Sequence, residues 1–285
     1  MSQILYGTPV AEQIRASLRE RIAALNARGV IPCLAIVRVG ADPGSMSYER
    51  ATLRACEKLG IETKPVSFPD SCTTQALVET LRQISGNPAI HGCLLLRPLP
   101  AGVDEQAASE AIRPEKDVDG VTGQSLRKVF VGYGPGHCPC TTEAVLKLLD
   151  FYRVGLDGAR VVIVGRSLVV GKPLSLLLTG RNATVTLCHR HTRSLAARCR
   201  EADVLIAAAG SAGLIGPDCV REGQTIIDVG TTPDAEGKLR GDVRFDAAEP
   251  VVAAISPVPG GVGTITTALL QEHIVSAAEQ MTSWS

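Results

Sequence analysis

The chain has 285 residues, 29 of them basic and 29 acidic, for a formal net charge of zero, with 45% apolar and 3% aromatic residues. That length suits two domains better than one, and the charges balance when the chain is split after Asp150 as well, 16 against 16 up to and including it and 13 against 13 after it, which argues against a basic nucleic-acid or membrane-surface binder. Apolar runs such as Val161–Val164 are far short of the roughly 20 residues that cross a bilayer. The N-terminus shows no export signal, and nine scattered cysteines do not make a disulfide framework, so a reduced, cytoplasmic protein without metal is expected.

Thr8 and Pro9 open a predicted helix whose apolar residues Val10, Ile14, Leu18, Ile22 and Leu25 recur at helical spacing up to Gly29. Cys33–Val37 reads as a buried strand ending at Gly40, and a second helix carries Tyr48, Leu53, Cys56 and Leu59. A strand near Val66, a helix from about Thr73 to Ile84 and a strand at His91–Leu96 continue the alternation, which implies parallel βαβ units. Residues 98–139 are rich in Gly, Pro and charge and predict loops with short helices, followed by a helix from Thr142 to Tyr152. Strands at Val161–Val164, Ala183–Leu187, Val204–Ala208, Thr225–Val229 and Val251–Ile255 form a second series, and a last helix starts near Thr266. The expectation is two α/β domains: 1–145, an αβα domain, and 146–285, a Rossmann-type nucleotide domain whose final helix, about 266–282, packs back on the first.

Strand Val161–Val164 runs into Gly165-Arg166-Ser167 and on to Gly171-Lys172-Pro173. A glycine turn between a parallel strand and a helix lets backbone N–H groups approach a pyrophosphate, although the spacing is not G-x-G-x-x-G and an ordinary βα turn is the alternative. The next strand ends at Cys188-His189-Arg190-His191, without the acid that takes the ribose hydroxyls in an NAD site. Arg190, with Arg166 and Arg193, suits a 2′-phosphate instead, unless these are surface arginines. Residues 158–200 hold eight Lys/Arg and no Asp or Glu, which favours NADP over NAD. Ala209-Gly210 after the third strand, Gly230-Thr231 after the fourth, and the loop from Pro257 to Gly263 place further small residues where an open α/β sheet keeps its ligand.

These segments, together with Gly40-Ala41-Asp42-Pro43 and Tyr48, Arg97-Pro98-Leu99-Pro100, Pro114 to Gly120 and Pro139-Cys140-Thr141, resemble the methylenetetrahydrofolate dehydrogenase/methenyltetrahydrofolate cyclohydrolase family over nearly the whole chain. The resemblance implies a tetrahydrofolate substrate, NADP as cofactor, a homodimer, and no nucleic-acid or membrane partner. It implies that 1–145 is the folate-binding catalytic domain and 146–285 the NADP-binding domain, that Tyr48 stacks on the folate, that Asp119 holds the pterin, and that Gly165, Arg166, Ser167 and Thr231 meet the cofactor. Pro98, Gly260 and Gly261 are further candidate substrate contacts, and Gly171, Arg190, Ala209, Gly210 and Gly230 further candidate cofactor contacts. Asp117 shares the pterin role or is a turn residue, and Tyr48 can alternatively be a core tyrosine. The catalytic lysine of the family, four residues after the tyrosine, is here Thr52, and its glutamine, two residues before the Pro-Leu-Pro, is Leu96. Ser125 replaces an asparagine, and Thr142 and Thr264 stand where proline is common. The expected activity is therefore oxidation of methylenetetrahydrofolate with the cyclohydrolase weak or lost; the alternatives are a paralogue for another folate adduct and a non-catalytic binding module. His137-Cys138-Pro139-Cys140 is too small a ligand set for a metal site.

Overall fold

The apolar stretches between Gly29 and Gly40, Gly158 and Gly165, and Gly223 and Gly230 become parallel strands, and amphipathic stretches become the helices that cross back. The computed structural model describes residues 2–282. The chain divides into two compact units, Gln13–Cys140 with Thr267–Ser285, and Met1–Glu12 with Thr141–Thr266. No helix among the described residues is long and apolar enough to cross a membrane.

In the unit of residues 13–140, strands β2 (Cys33–Val39), β3 (Glu62–Phe68) and β4 (Gly92–Leu95) form a parallel sheet in the order β3-β2-β4, and β1 (Gln3–Ile4) belongs to the other unit. Helices α2 (Pro43–Glu57) and α3 (Thr74–Gly86) make the crossovers. One face of this sheet closes on Leu77, Leu81 and Ile84 of α3, with Ala35, Val37, Cys93 and Leu95 beneath them. Strands β3 and β4 lie on opposite sides of β2, so the carboxyl end of β2 is a switch point where a crevice opens. Residues 98–139 are loops with two short helices, α4 (Glu105–Glu110) and α5 (Gly123–Val131). From Thr267 the last helix, α10 (Val262–Thr282), belongs to this unit too, with Leu269, Leu270, Ile274 and Val275 all buried. Its polar residues are held by named partners: Gln271 donates to the Ala55 carbonyl at 2.7 Å and Arg21 pairs with Glu279 at 2.6 Å.

The other unit holds a six-stranded, fully parallel sheet in the order β1-β11-β8-β7-β5-β6. Its strands are β5 (Arg160–Val164), β6 (Thr184–Cys188), β7 (Val204–Ala207), β8 (Thr225–Asp228), β11 (Ala254–Ile255) and, unexpectedly, β1 (Gln3–Ile4). The chain's first residues thus add an edge strand, with Gln3 opposite Ala254 and Ile4 opposite Ile255. Val162, Val164, Leu205, Ile226 and Ile255 fill the core on one face. Cys56, Cys93 and Cys188 are buried, Cys93 and Cys188 within the apolar clusters of the two sheets. The fifth expected strand is shorter than Val251–Ile255, because Val251 and Val252 donate to the Ala248 carbonyl and finish the turn of α9 (Phe245–Ala248). A small hairpin of β9 (Thr232–Pro233) and β10 (Leu239–Arg240) was not foreseen.

Candidate active site

A cavity of about 230 Å³ lies at the carboxyl ends of β2 and β4. Asp42 starts α2 by accepting the Ser45 N–H at 2.8 Å, the turn role open to it from sequence, with Pro43 in the first turn. Tyr48 and Thr52, four residues apart, then fall on one face of the helix. Tyr48 lines the cavity with one side of its ring open, while burial of the hydroxyl end, and after it the Asp119 carboxylate, pushes the phenol well above its usual pKa. Thr52 is 1% exposed, and its Oγ1 has no hydrogen-bond partner among the described residues. Leu96 is buried in the cavity wall, its N–H donating to the Val37 carbonyl at 2.9 Å. Pro98 is outside the lining: the wall ends at Arg97, and the peptide bond that follows is cis.

Asp119 closes the cavity. Burial raises its pKa, and the Arg97 guanidinium, with Nη2 3.2 Å from Oδ2, acts against that rise. Asp117 has no access to the cavity. It is fully buried and accepts the N–H groups of Gly120, Val121 and Thr122 and the Ser125 hydroxyl at 2.7 Å, so it is the turn-holding residue of this loop. The serine at 125 thereby keeps a polar contact to Asp117. His137 stacks on His273 at 4.4 Å, and burial drives its pKa down to about 3. Cys140 donates to the Val118 carbonyl at 3.2 Å. Among the described residues no group of three His, Cys, Asp or Glu is placed to hold a metal ion.

In the other unit the sheet reverses its order at β5, and a cavity of about 670 Å³ opens beyond the ends of β5, β6 and β7. Gly165, Arg166 and Ser167 line it from β5, His189 and Arg190 from β6, and Ala208, Ala209 and Ser211 from β7. Gly165 has φ +133° and its Cα faces the Ala208 carbonyl, which any Cβ would strike. Gly171 does not line the cavity: a Cβ there would strike the Gly165 carbonyl, so its work is to let the loop lie against the start of α7 (Gly171–Thr179). The loop is tied down by Thr142, whose hydroxyl donates to the Val169 carbonyl at 2.9 Å. No carboxylate lines this cavity, and of the eight basic residues in 158–200 only Arg166 and Arg190 do, with Arg193 and Lys172 outside it.

Two acids, Asp228 at the end of β8 and Asp242, organise the rest of this face, and only Asp242 carries no sequence signal. Asp242, fully buried, accepts the N–H groups of Ala209, Gly210 and Ser211 at 2.5, 3.0 and 2.7 Å. Ala209 therefore forms wall, with its N–H already spent, and Gly210 falls outside the lining. Asp228 accepts from Gly230, Asp242 and Val243, and burial pushes its pKa up to about 6. Gly230 and Thr231 line a separate cavity of about 180 Å³. Gly260 and Gly261 line that same cavity and not the one with Tyr48.

Residues 139–282 match the model of the tetrahydrofolate dehydrogenase/cyclohydrolase NAD(P)-binding domain, and residues 5–119 match the catalytic domain of the same family. The chain belongs to that family. The bifunctional protein FolD of Carboxydothermus hydrogenoformans is 44% identical over 281 residues, covering 98% of each chain. Among solved structures, the bifunctional methylenetetrahydrofolate dehydrogenase/cyclohydrolase of Campylobacter jejuni superposes with a TM-score of 0.95 at 35% identity, covering 98% of this chain and 99% of its own. The Trypanosoma brucei enzyme, solved with NADP and an inhibitor, gives a TM-score of 0.94 at 33% identity, covering 99% and 98%. The dehydrogenase/cyclohydrolase family thus accounts for both units of the chain.

Proposed function

We propose that this family member oxidises 5,10-methylenetetrahydrofolate to the methenyl form with NADP and has little or no cyclohydrolase activity. The observation that carries the second half is the wall of the cavity at Tyr48. Thr52 and Leu96 stand where the family resemblance places a lysine and a glutamine, and both are buried without an ionisable group. The lining holds no lysine or histidine, and its one carboxylate is paired with Arg97. Hydrolysis of the methenyl bridge needs an activated water and proton movement, hence a tuned acid–base group. Oxidation of the methylene bridge needs none: the adjacent nitrogen lone pair drives the hydride out and the product is a cation. Orientation of the two reactants supplies the assistance.

The cavity at the ends of β5, β6 and β7 suits the cofactor. NADP supplies the hydride acceptor when bound. Gly165 keeps the backbone open to a pyrophosphate at the start of α7, and Arg166 and Arg190 suit a 2′-phosphate. Tyr48 and Asp119 are the folate contacts, by stacking and by accepting pterin N–H groups. The homodimer implied by the resemblance belongs to the same proposal and is tested by light scattering.

The deciding assay follows methenyltetrahydrofolate spectrophotometrically. Formation should proceed with NADP much faster than with NAD, and the subsequent decay should be the same with and without protein. Decay accelerated to the rates of ordinary bifunctional enzymes would overturn the monofunctional reading.

A further inference from the structure

The cavity at Tyr48 contains a cation that the turnover just described does not use. Arg97 follows β4 and forms part of the cavity wall, with its side chain only 29% exposed. Its two terminal nitrogens reach different carboxylates: Nη1 lies 3.4 Å from Glu105 Oε1, and Nη2 lies 3.2 Å from Asp119 Oδ2. Its carbonyl accepts the Ser45 hydroxyl at 3.3 Å, which fixes the backbone against the first turn of α2. A guanidinium held at both arms and at its backbone has little freedom left to lose. It also cannot release a proton near neutral pH, so it does not replace a lysine as an acid or base.

We propose that Arg97 is a positioning residue of the folate cavity, holding the Asp119 carboxylate ionised and in one orientation, with Oδ1 left to the ligand. The inference rests on the folate reading above. A reduced pterin presents its exocyclic amine and a ring N–H side by side; an ionised Oδ1 has lone pairs to accept from them, whereas a protonated Oδ1 sets a donor against a donor. Oδ2 is taken by Arg97, and Oδ1 accepts no hydrogen bond from the described residues. The other charged or titratable groups around Asp119 are Asp117 on its own loop, His273 of α10, and the Tyr48 phenol, which also feels Cys140. Asp117 opposes ionisation and His273 favours it, but burial is the largest influence and raises the Asp119 pKa. Arg97 is the strongest influence that counters it.

Anaerobic titration calorimetry with tetrahydrofolate between pH 5.5 and 8.5 tests this. Affinity falls on the acid side as Asp119 takes up a proton. In Arg97→Met that acid limb should move to higher pH by about one to three units, since an opposite charge at this distance shifts a carboxylate by that much. Arg97→Gln, which keeps a donor without the charge, should move it the same way and serves if the methionine variant does not fold, with NADP binding as the check of folding. Arg97→Lys should bring the limb back towards the wild-type position. In an Asp119→Asn background, Arg97→Met should leave no pH-dependent difference. An acid limb unmoved in folded Arg97→Met or Arg97→Gln overturns the role of Arg97 alone; wild-type protein that binds no tetrahydrofolate at any pH overturns the folate reading with it.

Discussion

The Thr142 hydroxyl donates to the carbonyl of Val169 at 2.9 Å, so the first turn of α6 (Cys140–Phe151) holds the loop that lines the nucleotide cavity. Thr142 is fully buried, and the carbonyls of Val169 and Val170 lie within reach of the same hydroxyl. Thr142→Val keeps the shape and removes the donor. It should cost about 1–2 kcal/mol in urea unfolding, the penalty for a buried polar group left without its partner. The KM for NADP should rise several-fold while the KM for folate stays within twofold, and equal change in both constants would speak against a local role.

Asp228 gives a pH dependence of unusual sign. Its folded pKa, about 6, lies above the ordinary value of 3.8, with burial as the main cause. Between those two values the native state binds more protons than the unfolded chain, so this group's stabilisation is present near pH 4 and is lost as pH rises to about 6. Comparison with Asp228→Asn isolates the effect. The wild type's advantage over the variant should be about 2 kcal/mol larger at pH 4 than at pH 7, read from urea unfolding at both pH values. An advantage that grows with pH would show that the three N–H donors outweigh burial.

Thr52 and Leu96 can be exchanged for the residues whose absence the proposed function depends on. Thr52→Lys with Leu96→Gln should accelerate methenyltetrahydrofolate hydrolysis by at least roughly tenfold over wild type, as expected for a regained acid–base group. Either change alone should give much less. Thr52→Val should instead raise stability by about 1 kcal/mol, because a buried hydroxyl without a partner is replaced by a methyl group, and should leave NADP reduction within twofold.

Tyr48→Ala removes one wall of the folate cavity from a side chain whose ring is already open on one side. Loss of a stacked aromatic contact should weaken tetrahydrofolate binding by roughly tenfold or more. NADP binding, measured in parallel by calorimetry, should not change.

The alternation of strands and helices was legible because glycine punctuates nearly every apolar run, and the cofactor-side turns at Gly165, Ala209 and Gly230 fall at strand ends for the same reason. Strand β1 was not legible: two residues have no periodicity, and their partner Ala254–Ile255 is 250 residues away. Asp242 looked like any loop acid, since the backbone it holds is brought to it only by the sheet. The run of positive charge at 158–200 overstated the phosphate surface. Arg160, Arg181 and Arg198 pair with Asp203, Asp150 and Glu201, all just beyond the window, and a linear count cannot see such pairs. In the sequence Arg97 is only one residue of the Arg-Pro-Leu-Pro stretch; its ion pairs with Glu105 and Asp119, which make it a central charge of the cavity at Tyr48, form only in the fold.

Strand β1 and helix α10 also bear on how the chain matures on the ribosome. The unit that emerges first, residues 13–140, includes 267–285, and the sheet of the second unit takes its edge from residues 3–4. Neither unit is contiguous, so neither can be completed until almost the whole chain has been synthesised. Fragments cut at residue 140 should accordingly fail to yield two separately folded proteins: each would expose the apolar surface that the missing terminal segment covers.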